Sequence, residues 1–448
     1  MKSLKPPRSK TPLVIQQLQW ILQPIAYLQN YSREFGPIFS AMSDRMEVVF
    51  VSEPSALKQI FTNEKKSFGV SGEANRVLLP LIGPNSLLML SGEQHRAARQ
   101  LLMPAFHQES MSSYLNIISR VAAEKFVALP SASNSPVAMR TVMQALSLQV
   151  IQEVVFGLDS QTDQLRTAIA NLADMVSSPL VGLSLFLPWL QQDLLGISPY
   201  GKLQRQVSAT DDLLLDAIEA RRQQNDEGRR DILALLLAAR DPEGQGLNNN
   251  ELRDELTTML LAGHETTATA MSWAVYHICR HEEVKKKLLA ELDSLPANAD
   301  ALQHFKLPYL TAVCNETLRL TPVVINTSPR VTQEQVELGG YSLDAGTCVV
   351  GCIYLLHQRQ DLYPQPNVFR PERFIERTFS PFEFMPFGGG ARRCLGEMLA
   401  NFEMRLVLAN LLKNFDVRLA SNREELPRRR VVTLAPEHGV SVIVNRRK

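Results

Sequence analysis

In residues 384–400, FMPFGGGARRCLGEMLA, a single cysteine, Cys394, stands behind three glycines and two arginines. Three consecutive glycines cost backbone entropy, so they imply that something comes very close to that main chain. The residues that follow, LGEMLANFEMRLVLANLL, pattern as a strongly apolar helix beginning just after the sulfur. A helix N-terminus stabilises negative charge and lowers a thiol's pKa, and the glycine loop leaves backbone N–H groups to point at the sulfur. A thiolate so held can be a nucleophile or a metal ligand, and no general base beside it in sequence supports the nucleophile. The plainer alternative is a small buried hydrophobe, the usual role of a lone cysteine. A large flat ligand carried on Cys394 accounts for the glycines as well as for the sulfur.

A second stretch, LLAGHETTATA over residues 260–270, sets polar residues and a glycine in the middle of a long helical pattern. An interior glycine costs about 1 kcal/mol against alanine. Taken one at a time, these residues are a tolerated irregularity. Taken together, they describe a site. Gly263 removes a side chain so that a ligand can lie against the helix next to Ala262. Thr266 is spaced to hydrogen-bond back to the carbonyl of Ala262, loosening the ladder into a small groove. Glu265 and Thr266 offer an acid and a hydroxyl in sequence, able to pass protons from solvent into a dry pocket. His264 reads as an ordinary polar helix residue that points elsewhere.

The elements that must position these groups are mostly helical. Apolar residues recur at three-and-four spacing over 92–105, 138–157, 163–177, 202–224, 230–240, 249–280, 282–293 and 309–320. The helix carrying Glu265 starts at Asn248, where Glu251 completes a capping box, and runs without proline to about Arg280, roughly 50 Å. Strand-like runs are short: EVVFVS at 47–52, and VELGGYSLDAGTCVVGCIYLL at 336–356, with turns at Gly339-Gly340 and Asp344-Ala345-Gly346. A further strand pair is expected around 430–433 and 440–444. The fold class this implies is mainly α with small β-sheets (α+β), in one domain over 1–448 whose β-rich part covers about 36–56 and 323–356. No internal repeat is present, and DPEGQGLNNN (241–250) reads as a surface loop.

Composition narrows the function. Lys+Arg 47 against Asp+Glu 46 leaves a formal charge of +1, which gives no global attraction to nucleic acid or to an anionic membrane. Five cysteines at scattered positions form neither a disulfide framework nor a zinc pattern, so a reducing cytosol is expected. Near the N-terminus the apolar residues are interrupted by Gln16, Gln17, Gln19, Gln23 and Pro24. That excludes a spanning helix of roughly 20 apolar residues and a signal peptide core of about 7–15. A cytoplasmic location follows, with peripheral membrane contact left open.

The chain resembles the cytochrome P450 family of haem-thiolate monooxygenases. FGGGARRCLG (387–396) fits the family's Phe-x-x-Gly-x-Arg-x-Cys-x-Gly signature, and AGHETT (262–267) fits its oxygen-activating helix motif. ETLR (316–319) and PERF (371–374) fit its two structural motifs, in the expected order. The resemblance implies a haem b cofactor (iron protoporphyrin IX) with Cys394 as its metal ligand, thiolate ligation being the kind that favours O–O cleavage. Phe387 would lie against the sulfur, Gly388, Gly390 and Gly396 would allow close approach, and Ala262 and Gly263 would face the cofactor. Arg392, Arg99, Arg330 and His95 would bind the haem propionates, although many relatives carry tryptophan where His95 stands. Glu316, Arg319 and Arg373 would form a buried structural triad.

The activity so implied is hydroxylation of a hydrophobic small molecule with O2, using protons passed through Glu265 and Thr266. Electrons would come from a separate ferredoxin and ferredoxin reductase, and Arg393 is a candidate for docking an acidic partner. The protein is expected to be a monomer. A mobile apolar roof at 175–195, the loop 67–83, the turn 321–327 and Thr433 with Leu434 would wall the pocket. A long-chain fatty acid is the first substrate expectation and a sesquiterpene-type hydrocarbon the second. A peroxide-using or isomerising haem-thiolate enzyme would not need the acid–threonine pair. A haem sensor or lipid carrier would have no use for it either.

Overall fold

The computed structural model describes residues 4–42, 47–106, 108–129, 135–157, 163–186, 190–193, 198–224, 228–296 and 298–447. Helices α1 (Leu13–Leu22) and α2 (Pro24–Phe35) lead into β1 (Ile38–Met42), β2 (Glu47–Val51), α3 (Pro54–Thr62) and β3 (Phe68–Val70). Next come α4 (Leu79–Ile82), α5 (Gly92–Leu102), α6 (Gln108–Val127), the short β4 (Val137–Ala138) and α7 (Met139–Phe156). They are followed by α8 (Asp163–Ser177), α9 (Pro179–Phe186), α10 (Pro199–Gln223), α11 (Ile232–Ala238) and α12 (Asn249–Arg280). After α13 (Glu282–Asp293), α14 (Ala301–Phe305) and α15 (Pro308–Leu320) come β5 (Arg330–Thr332), β6 (Val336–Leu338), β7 (Tyr341–Leu343) and β8 (Cys348–Gly351). The chain closes with α16 (Ile353–His357), α17 (Arg373–Glu376), α18 (Glu397–Asn414), β9 (Phe415–Leu419), β10 (Pro427–Arg430), β11 (Thr433–Pro436) and β12 (Ser441–Arg446).

These elements gather into two compact units. One combines residues 1–74 with 312–395, and the other combines 75–311 with 396–448. The first is built on a five-stranded sheet of order β1-β2-β8-β5-β3, in which β2 and β8 run parallel and the other pairs antiparallel. Val49, Val51, Leu57, Ile60, Phe61, Phe68 and Met385 share its apolar core, so α3 is packed firmly on the sheet. Gly339 and Gly340 take φ of +56° and +84° between β6 and β7, the left-handed pair that a tight hairpin turn requires. Residues 353–356, read from sequence as the end of a strand run, instead belong to α16.

The second unit is helical around α12. Its N-terminus carries the expected capping box: Asn248 Oδ1 accepts from the Glu251 N–H at 3.0 Å, and Glu251 Oε2 accepts from the Asn248 N–H at 2.8 Å. The closing strands differ from expectation. Residues 430–433 do not pair with 440–444, because Val431, at φ +53°, begins the turn of a separate hairpin between β10 and β11. β12 pairs instead with β9 and β4. The alternation was legible there, but a turn made by a β-branched residue in the left-handed region is not a turn that composition announces.

Candidate active site: the cysteine loop and the central helix

The cysteine loop belongs to the first unit. Residues 390–392 make one turn of 3₁₀ helix, Gly396 caps α18, and Cys394 lies between them. The loop is closed by its own backbone, with the Cys394 N–H donating to Phe387 O at 2.9 Å and the Arg393 N–H to Gly390 O at 3.1 Å. These two N–H groups hold the loop. Cys394 is the exposed cysteine. Burial pushes the thiols of Cys279 and Cys352 up to about 12 and that of Cys348 to about 11, so none of these three is available as a thiolate near neutral pH.

Two of the three consecutive glycines answer to the protein itself. A Cβ on Gly389 would stand 2.7 Å from Met385 Cε and 3.2 Å from the Phe61 ring, and one on Gly390 would run into the Glu64 carboxylate. Gly388 and Gly396, in contrast, have no protein atom within 4 Å of where a Cβ would stand. The main chain on both sides of the sulfur is thus open to a flat group, and the donor set is one exposed sulfur at a helix N-terminus. Phe387 and Arg392 are half-buried in the same loop, and Arg393 is exposed.

Arg330 has firm partners of its own within this unit. It is 1% exposed, and its guanidinium meets five acceptor contacts within this unit. Nε and Nη2 reach Glu64 Oε1 at 2.6 and 2.5 Å, Nη1 reaches Ser328 O and Pro329 O at 2.7 and 3.3 Å, and Nη2 reaches Gly389 O at 3.1 Å. Through Glu64 and Gly389 O, Arg330 braces the glycine loop.

Deeper in the unit, Glu316 accepts from Arg319 at 2.7 and 2.9 Å and from Arg373 at 3.0 Å, with all three buried. Arg319 also donates to His357 O at 2.9 Å, and His357 Nε2 accepts the Met385 N–H at 3.0 Å, just ahead of the cysteine loop. Burial and the nearby Arg319 charge hold His357 down to about 3, so it serves as a neutral acceptor.

The second unit carries the other candidates. Along α12, Ala262 is exposed and Thr266 half-exposed, whereas Thr267 through Ile278 are buried. This opening in the middle of a central helix is where a ligand face is expected. Thr266 Oγ1 donates to Ala262 O at 2.7 Å, as its spacing predicts. The helix is nevertheless unbroken, and Thr258, Thr267 and Ser272 make the same back-bond. What marks Thr266 is the face it occupies.

Gly263 is a correction. A Cβ there would meet Ile151 of α7 at 3.2 Å, so the missing side chain serves helix packing and not a ligand. Glu265 is turned toward α7, where its oxygens accept from Arg140 Nη2 at 2.5 Å and Gln144 Nε2 at 2.8 Å. His264 is buried with Nδ1 3.2 Å from Leu260 O, and burial lowers its pKa. On α5, His95 is buried and Arg99 half-buried, one helical turn apart on one face.

An apolar cluster lies above this part of α12. Leu81, Ile82, Leu172, Val181, Leu185 and Leu203 form it, and Leu261 and Val431 pack against it. Of the roof expected at 175–195, residues 187–189 and 194–195 lie outside the described residues. Thr433 and Leu434 are core instead of wall: both are buried, and Leu434 O accepts the Trp273 indole N–H at 2.9 Å.

The cytochrome P450 family model matches residues 5–442. The chain belongs to the cytochrome P450 family. It is 34% identical to the putative cytochrome P450 135B1 of Mycobacterium tuberculosis, over 98% of this chain and 91% of that one. It is 31% identical to the putative cytochrome P450 138 of the same organism, over 99% and 96%. Its fold matches a solved cyanobacterial P450, CYP120A1 with retinoic acid bound, with a TM-score of 0.87, 28% identity and full coverage of both chains. It is accordingly a haem-thiolate monooxygenase that uses haem b, O2 and electrons from redox partners. The exposed sulfur and the open main chain at Gly388 and Gly396 fit that cofactor. No helix among the described residues is long and apolar enough to cross a membrane.

Sequence reasoning missed Glu64, His357, Arg140 and Gln144. Each acts through a partner far away in the chain, and nothing in its local pattern sets it apart.

Proposed function

We propose that this P450 hydroxylates a long-chain, lipid-like substrate, with a fatty acid first and a sesquiterpene-type hydrocarbon second. The observation that carries this reading is the aliphatic cluster that converges on Leu261, next to the exposed Ala262. Such a wall favours a substrate by the apolar area it removes from water. The cyanobacterial neighbour holds retinoic acid, an apolar chain ending in a carboxylate, which fits the same class.

When bound, haem b supplies the reductive splitting of O2, so that a C–H bond, O2, two electrons and two protons become an alcohol and water. Cys394 Sγ would be the ligand that holds it, with Phe387 lying against that sulfur. Arg392, Arg99, Arg330 and His95 would bind the propionates. Thr266 Oγ1 would hold a transferable proton on the exposed face of α12, and the Glu265 carboxylate would resupply it after release from Arg140 and Gln144. A separate ferredoxin and its reductase deliver the electrons to a monomer that acts as one catalytic domain. We place the protein in the cytoplasm, with α1 resting on a membrane surface.

The reduced protein under carbon monoxide should show the red-shifted Soret band of thiolate ligation. Long-chain fatty acids should shift the resting spectrum toward high spin and give hydroxylated product with ferredoxin, reductase and NADPH. A histidine-type Soret band would remove Cys394 from its role. Response to terpenes alone would reverse the order of substrates.

A further inference from the structure

The roles given above leave out Glu64, although its carboxylate reaches into the cysteine loop. Its carboxylate is mostly buried, at 11% exposure. Oε1 takes two N–H groups of Arg330, at 2.6 and 2.5 Å. Oε2 takes the main-chain N–H of Ala391 at 2.7 Å. The Arg330 guanidinium in turn holds Gly389 O at 3.1 Å and lies 5.1 Å from the centroid of the Phe61 ring. Both peptide groups of the loop that these residues grip lie immediately before Cys394. Gly390, at φ +67°, lies so close to Glu64 that no Cβ fits between them.

Glu64 follows α3, whose Leu57, Ile60 and Phe61 are locked into the sheet core. A buried carboxylate that accepts charge-assisted bonds from an arginine and a bond from a main-chain N–H is a stiff link. It ties the loop to the sheet through side chains alone, at a separation of 327 residues from Ala391.

We propose that Glu64 is a positioning residue for the thiolate: together with Arg330 it fixes the main chain ahead of Cys394, and so fixes where the sulfur stands and keeps it the ligand. This rests on the thiolate reading above. Glutamine at 64 has nearly the same shape, but it replaces one acceptor oxygen with an NH2 group that must face either Arg330 or the Ala391 N–H. Donor then meets donor, and one end of the link opens.

The test compares wild type, Glu64→Gln, Glu64→Ala and Val49→Ala as full-length, haem-loaded proteins. Val49→Ala weakens the same sheet without touching the loop. Both Glu64 variants should bind haem stoichiometrically but lose the thiolate Soret band of the reduced, CO-bound form at least fivefold faster than wild type. Their reduction potentials should also move. Val49→Ala should match wild type in both. Equal band lifetimes in Glu64→Gln and wild type, or equal acceleration in Val49→Ala, would overturn the proposal.

A second readout stands apart from ligation. In the haem-free full chain, the alkylation rate of Cys394, read by peptide mass mapping, should change at least threefold in Glu64→Gln. An unchanged rate would overturn the proposal. A wild type without the thiolate band but with a Glu64-dependent alkylation rate would sink the ligation reading and leave the link itself standing.

Discussion

Thr258, Thr266, Thr267 and Ser272 all return a hydrogen bond to the carbonyl four residues back, and α12 stays continuous through each of them. Replacing Thr266 by alanine therefore removes a bond that the helix does not need, and unfolding free energy should move by no more than about 0.5 kcal/mol. Its effect on turnover should be much larger, because Thr266 lies on the opened face with Ala262 and carries the only proton proposed at that point. Thr266→Ala should oxidise NADPH at a rate near that of wild type while a larger share of O2 leaves as hydrogen peroxide. Measuring product, peroxide and NADPH together decides it, and wild-type coupling in the variant would strip Thr266 of its role. Glu265 shows where single-residue reading reaches its limit. Its identity and its neighbour were visible in the sequence, but its partners Arg140 and Gln144 come from another helix, so the direction in which the carboxylate points was not.

Helix α18 shows what an element can hide. It was readable as an apolar helix, yet it carries Glu403 at 3% exposure, with Oε1 lacking a hydrogen-bond partner among the described residues. Burial pushes this carboxyl up to about 8, and burial does the same to Glu255 of α12, which accepts the Leu87 N–H at 2.6 Å. A carboxyl whose pKa is higher in the fold than in the open chain supports the fold fully below its ordinary value near 4.5. That support drains away as pH rises through about 8. Glu403→Gln removes one such group at constant shape. Urea unfolding should find the variant close to wild type at pH 5 and more stable by on the order of 3 kcal/mol at pH 9. A constant difference across that range would mean that Glu403 is not the group responsible.

The same scale shows how far the sequence could be read. The long amphipathic helices, the capping box on α12 and the Gly339-Gly340 hairpin were legible because their signals are local. The β10–β11 hairpin, the packing duty of Gly263 and the bracing duty of Arg330 were not. Each depends on what another segment presents to it: a turn in the left-handed region, Ile151, and the Glu64 carboxylate.

Across the molecule, α1 runs against the usual rule. It buries Gln16 and exposes Val14, Leu18 and Leu22 at 65%, 52% and 66%, with Ile15 and Ile21 on show as well. No aspartate or glutamate precedes Glu34, and Lys5, Arg8 and Lys10 are exposed. Apolar side chains beside a basic segment suit the boundary of an anionic bilayer. Vesicles containing anionic lipid should co-sediment the protein, zwitterionic vesicles should do so weakly, and Leu18→Gln with Leu22→Gln should abolish binding. Sedimentation that is indifferent to those two changes would move the protein off the membrane.

The unit that holds Cys394 is assembled from two stretches, 1–74 and 312–395, with more than half of the other unit threaded between them. On the ribosome, the first stretch therefore emerges with its sheet incomplete and must wait until β5, β8 and finally the cysteine itself have been translated. Closing so long a loop is a modest entropic burden, but the delay is not modest. A nascent chain released before β8 is made presents the unpaired edge of β2, a surface that invites aggregation. Haem capture is thus a late event in the life of each polypeptide. Expression that outruns cofactor supply should fill the cell with full-length protein whose last step is missing, not with truncated fragments.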